Sequence, residues 1–101
     1  MAFITKVVGV TYDNADGVNR QNLIANLAKN SPVHLARDYA NLNDPNAIMV
    51  MSEHGSLGFV SRDIAGRLAS KIDSGEQIII KIYSISGGGD YYWGVKIEVF
   101  A

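Results

Sequence analysis

The sequence predicts a mainly β, α+β fold. About six short strands curl into a small, partly open barrel of OB-like or SH3-like kind that carries two short helices. Three observations carry this expectation. Runs of β-branched and aromatic residues recur between clusters of Gly, Asn, Asp, Ser and Pro. Only two segments place apolar residues at helical spacing. At 101 residues the chain has room for one buried core, so a single domain over residues 1–101 is expected. The order reads β-α-β-β-β-α-β-β.

Phe3 to Tyr12 is the first strand, with Gly9 as a bend, and the polar DNADG run after it ends the pairing. Leu23, Ile24, Leu27 and Ala28 share one helical face, with Arg20, Asn22, Asn26 and Lys29 on the others, which predicts a helix over 18–29 stopped by Ser31-Pro32. VHLARDY, residues 33–39, alternates as a strand and carries Arg37 on a partly buried face. NLNDPN is a turn by its Asx chemistry and its proline. AIMVMSE forms the next strand, His54-Gly55-Ser56 the next turn, and LGFV the strand that follows. Ser61 is placed to cap a second helix whose apolar face is Ile64, Ala65, Leu68, Ala69 and Ile72. Ile78 to Ile85 and the YYWGVKIEVF run close the fold, joined by SGGGD.

Composition narrows the function. The formal net charge is −1, from 9 Lys and Arg against 10 Asp and Glu, so nucleic-acid affinity must come from a local basic patch and be modest and salt-sensitive. There is no Cys, which excludes disulfides and thiolate metal ligands and fits a reducing compartment. MAFITKVVGV lacks the pattern of a signal peptide and no run reaches the length of a membrane span, so a soluble, cytoplasmic protein without a membrane partner is expected. His34 and His54 are separated by a strand and a turn, with no triad or metal-ligand spacing around them. SGGGD lies between strands and lacks the Lys-Ser/Thr and helix start of a phosphate loop. No enzyme activity, cofactor or metal is expected.

Four separate pieces then come together in one order. Val8-Gly9-Val10-Thr11-Tyr12 opens the chain, Leu35-Ala36-Arg37 lies on a strand, Asn41-Leu42-Asn43-Asp44-Pro45-Asn46-Ala47-Ile48 makes the turn, and Gly58-Phe59 leads into the second helix. This set resembles the HIRAN domain, over nearly the whole chain. The resemblance implies a module that binds single-stranded DNA at a free 3′ end, found in replication-fork-remodelling ATPases and as separate small proteins. It also implies that the acidic residue of the turn, here Asp44, accepts the terminal hydroxyl while aromatic side chains stack on the last bases. Two positions depart from the family pattern. Asn43 stands where an aromatic residue or His is often found, and Thr11 where some DNA-binding members carry Arg.

The residues can also be read without the family. An ionised carboxylate only accepts hydrogen bonds, so Asp44 suits a hydroxyl donor, and it equally suits an Asx-turn at the Asp-Pro-Asn corner. Tyr12 is either a stacking platform or a half-buried strand residue, and Phe59 either stacks on a base or fills the barrel core. Asn41 either donates to a phosphate or ties its loop, and Asn43 beside it is kept among the candidate contacts although half of an aromatic sandwich is missing there. Arg62, with Arg37 and Lys6, supplies candidate phosphate contacts. Of Tyr91 and Tyr92 at least one must face outward, which makes Tyr91 a second stacking candidate. The alternative is a protein-interaction module that keeps the fold but not the DNA site. Its partner would be a protein such as a separate helicase or nuclease.

Overall fold

The computed structural model describes residues 2–101. The elements follow the expected order: β1 (Ala2–Val8), α1 (Arg20–Ala25), β2 (Val33–Arg37), β3 (Ile48–Ser52), β4 (Gly55–Val60), α2 (Arg62–Asp73), β5 (Ile79–Gly88) and β6 (Tyr91–Phe100). All six strands pair antiparallel in the order β2-β3-β4-β1-β6-β5. The sheet curls until its edge strands β2 and β5 approach each other, giving a mainly β half-barrel with two helices. No helix among the described residues is long and apolar enough to cross a membrane.

β1 splices the two halves of the sheet. Ala2 to Lys6 pair with Phe100 to Lys96, whereas Val7 and Val8 pair with Val60 and Phe59 of β4. The strands come this close only because residue 58 is glycine. Its φ is +145°, and a Cβ there would lie 2.3 Å from the Val8 carbonyl oxygen. Strand alternation sends Val7, Ile48, Val50, Val60, Ile82 and Ile97 inward, where α2 covers them with Ala65, Leu68 and Ala69 and α1 adds Ile24. Each fully buried aliphatic side chain contributes about 1.5–3 kcal/mol.

Element ends differ from the sequence reading for local reasons. β1 stops at Val8 rather than Tyr12, because Gly9 takes φ +73° and the Tyr12 N–H closes a turn onto the Gly9 carbonyl at 3.3 Å. Tyr12 therefore stands in a turn. α1 covers Arg20–Ala25, not 18–29, with Asn19 as its N-cap. The Asn26 side chain takes the Asn22 carbonyl, while the Asn26 and Leu27 N–H groups fall back to i−3 acceptors, so the helix tightens and ends. β2 ends at Arg37 because Tyr39 leaves the strand to reach Asp73. β5 runs through Gly87 and Gly88, which the sequence reading placed in the loop, because both glycines pack directly on Tyr92 and Trp93. Ser61 holds the N-cap position of α2 but makes no capping bond; its hydroxyl donates to the Asp63 carboxylate instead.

Candidate nucleic-acid interface

The corner between β2 and β3 is built by its own side chains. The Asn41 Oδ1 accepts from the N–H groups of Asn43 and Asp44, both at 2.9 Å, and the Asp44 Oδ1 accepts from the Asn46 N–H at 2.9 Å. Asn41 thus ties its loop, and one oxygen of Asp44 braces the Asp-Pro-Asn turn. Arg37 clamps the corner from beneath. It donates to the Ala47 carbonyl at 2.7 Å, to the Pro45 carbonyl at 3.0 Å and to Asp73 at 3.1 Å, while lying 4.6 Å from the Tyr39 ring centroid. The Tyr39 hydroxyl donates to the same Asp73 carboxylate at 2.6 Å. The Arg37 side chain is only 6% exposed and fully engaged, so it is a structural clamp and not the phosphate contact that its charge suggested. The guanidinium first, then the Tyr39 hydroxyl, holds the Asp73 carboxyl below its ordinary pKa.

The second oxygen of Asp44 faces a different partner. Oδ2 lies 3.6 Å from Arg62 Nε, beyond normal hydrogen-bond length, and the Arg62 side chain is 71% exposed. Arg62 also donates to the Asn43 carbonyl, so one exposed cation spans both residues at the corner's outer rim.

A second group gathers at Gly9. A Cβ built on this glycine would lie 3.3 Å from Arg20, 3.8 Å from Phe59 and 3.9 Å from Tyr12, which shows three side chains converging on one backbone position. Arg20 lies over the Phe59 ring, 5.2 Å from its centroid. It donates to the Gly9 carbonyl and to Asn14 Oδ1, each at 2.8 Å. Burial lowers the Arg20 pKa, with Asp13 opposing the shift, and the guanidinium stays charged. Phe59 is half-buried, neither a core residue nor fully free, whereas Tyr12 is 68% exposed.

Phe59 connects the two groups. Its cross-strand neighbours on the same face are Met49 of β3 and Val8 of β1. Beyond Phe59 the chain runs on to Arg62 and the Asp44 corner, while β1, antiparallel to β4, leaves Val8 in the opposite direction toward Gly9 and Tyr12. Corner and turn therefore flank Phe59, instead of lying directly side by side. Tyr91 forms a third group with Tyr92 in the β5–β6 hairpin, the two being 79% and 76% exposed. Gln21 ties this hairpin to the Gly9 turn. Its Nε2 donates to the Val10 and Trp93 carbonyls at 2.9 Å, and its Oε1 accepts from the Trp93 N–H at 2.6 Å. Arg20 and Gln21 escaped the sequence reading, which saw Arg20 only as part of a polar helix face. Their main partners are backbone groups distant in sequence, which leave no mark on periodicity.

The sequence profile of the HIRAN domain matches residues 1–99. The fold is similar to the crystal structure of the HIRAN domain of human HLTF, with TM-score 0.69 and 25% sequence identity, covering 97% of this chain and 72% of that one. It is also similar in fold to a Lactobacillus plantarum protein, with TM-score 0.72 and 20% identity over 100% of this chain and 98% of the other. No curated protein shows a significant sequence match to this chain. A profile match that takes in the β1 end, the Asp44 corner and the Gly58-Phe59 step together places this chain in the HIRAN domain family.

Proposed function

We propose that this HIRAN domain binds single-stranded DNA at a free 3′-hydroxyl end and catalyses no reaction. HIRAN domains are known as DNA-binding modules. One observation carries the finer reading: Asp44 spends Oδ1 on its own turn, and Oδ2 faces an exposed arginine at 3.6 Å, beyond hydrogen-bond length. A terminal hydroxyl is a donor that this oxygen can accept, and an interior nucleotide lacks that donor. Arg62 then turns outward to a phosphate of the same strand. Phe59 offers a stacking surface beside the corner, Tyr12 a second one on the far side of Phe59, and Tyr91 a further one across Gln21.

The test compares strands ending in a 3′ hydroxyl and in a 3′ phosphate, which adds negative charge and removes the donor. Asp44→Ala is expected to cost about 1.5–3 kcal/mol on the hydroxyl-ended strand and little on the other. Tyr12→Ala is expected to weaken both by about 1–3 kcal/mol, because stacking does not sense the end group. Circular dichroism establishes that both variants are folded. If folded Asp44→Ala keeps the full preference for the hydroxyl end, Asp44 does not read the end. Leu42, 99% exposed at the tip of the corner, supports a second reading in which this loop docks a protein such as a separate helicase or nuclease. That reading gains if no strand binds and Leu42→Ser abolishes a protein contact.

A further inference from the structure

The outer face of β1, β6 and β5 concentrates positive charge away from the Asp44 corner, and of its lysines only Lys6 stood among the phosphate contacts expected from the sequence. Lys6 of β1 and Lys96 of β6 stand directly opposite each other. Lys81 of β5 stands opposite Glu98, the next outward residue along β6. All three lysines are exposed, and among the described residues none of them makes an ion pair. Three of the chain's nine Lys and Arg residues thus share a face whose strands carry a single carboxylate, Glu98, although the net charge is −1. Like charges placed directly opposite across a sheet destabilise it, so the Lys6–Lys96 pairing gains nothing for the fold.

This face adjoins Phe59 across β1. Val8 is the cross-strand neighbour of Phe59, and Lys6 lies two residues back along β1 on the same side of the sheet, about 7 Å away. Tyr83 and Phe100 are exposed on β5 and β6, and Lys81 lies 5.7 Å from the Phe100 ring centroid. A chain of phosphates leaving the Phe59 surface meets Lys6 and Lys96 next, and Lys81 one strand further on. We propose that this lysine face is a backbone track for the part of a bound DNA strand upstream of its 3′ end. The proposal rests on the DNA-end reading given above. It makes affinity depend on strand length through phosphates alone, without base preference.

The experiment measures binding of a twelve-nucleotide strand by fluorescence anisotropy and of a dinucleotide by amide shifts in NMR, each with a free 3′ hydroxyl. The protein is the unsubstituted chain or the Lys6→Gln/Lys96→Gln variant, with Lys81→Gln as an independent second variant. For the longer strand the double variant is expected to lose affinity on the order of tenfold. The slope of log affinity against log salt becomes shallower by about 1.4, since each single-strand phosphate contact contributes about 0.7. Dinucleotide binding and the preference for a hydroxyl end stay as they were, and Lys6 and Lys96 amides shift only with the longer strand. An unchanged slope, or equal losses on both ligands, overturns the track. So does binding of phosphatidylglycerol vesicles through these lysines while the longer strand binds no better than the dinucleotide. If the longer strand binds through the lysines but shows no preference for a hydroxyl end, the track stands and the end-reading falls. If no strand binds, both fall.

Discussion

A single methyl group at residue 58 would test the seam of the sheet. Gly58 has a left-handed φ of +145°, and an added Cβ would sit 2.3 Å from the Val8 carbonyl, a backbone atom that no rotamer change can move aside. Gly17 also has a positive φ, +87°, yet nothing lies within 4 Å of its Cβ position. Backbone strain alone costs about 1–3 kcal/mol, so Gly17→Ala measures that component by itself. Gly58→Ala is expected to destabilise the fold by at least ~1 kcal/mol more, read as the difference in urea midpoints. Equal midpoints would show that the β1–β4 approach relaxes freely.

The elements are held by clamps whose strength depends on the state of one carboxylate or one amide. Asp73, at the last position of α2, binds Arg37 and Tyr39, and its pKa is lowered in the folded chain. A lowered folded pKa means that the unfolded chain takes up protons more readily, so this contribution to stability is complete above the unfolded Asp value of about 3.9. It is lost as pH falls from there through the lower folded value. Asp73→Asn is therefore expected to flatten the decline in urea stability between pH 6 and 3, and an unchanged pH profile would show that the clamp is not coupled to Asp73 ionisation. At the other end of the molecule, Gln21→Ala removes three hydrogen bonds and leaves the part-buried Trp93 N–H without its acceptor. The expected loss is about 1–3 kcal/mol. Faster hydrogen exchange at the Trp93 amide is the local signature that separates this from a general weakening.

Across the whole molecule, alternation and helical spacing were enough to reveal six strands and two helices, because Val95, Ile97 and Val99 or Ala65, Leu68 and Ala69 bury one face as their spacing requires. The end of β1 was not legible. Val10, Thr11 and Tyr12 still read as strand, and only the left-handed Gly9 and its turn bond separate them from it. The Asp44 corner was legible because Asx chemistry is local, and the structure supplies the side-chain bonds that such a turn requires. Strand alternation placed Arg37 on a partly buried face, as found, but neither its clamp nor that of Arg20 was legible, since their partners lie many residues away.

The splice made by β1 also bears on the order in which the chain can assemble. Ala2 pairs with Phe100 and Lys6 with Lys96, so the first strand of this domain has as its main partner the last, nearly the whole domain away in sequence. β2, β3 and β4 can form their meander with neighbours already made, but most of β1 has no ladder to join until β6 is present. Closing so long a loop is paid in entropy before any contact rewards it, which places the joining of β1 to β6 among the slow, late events of folding.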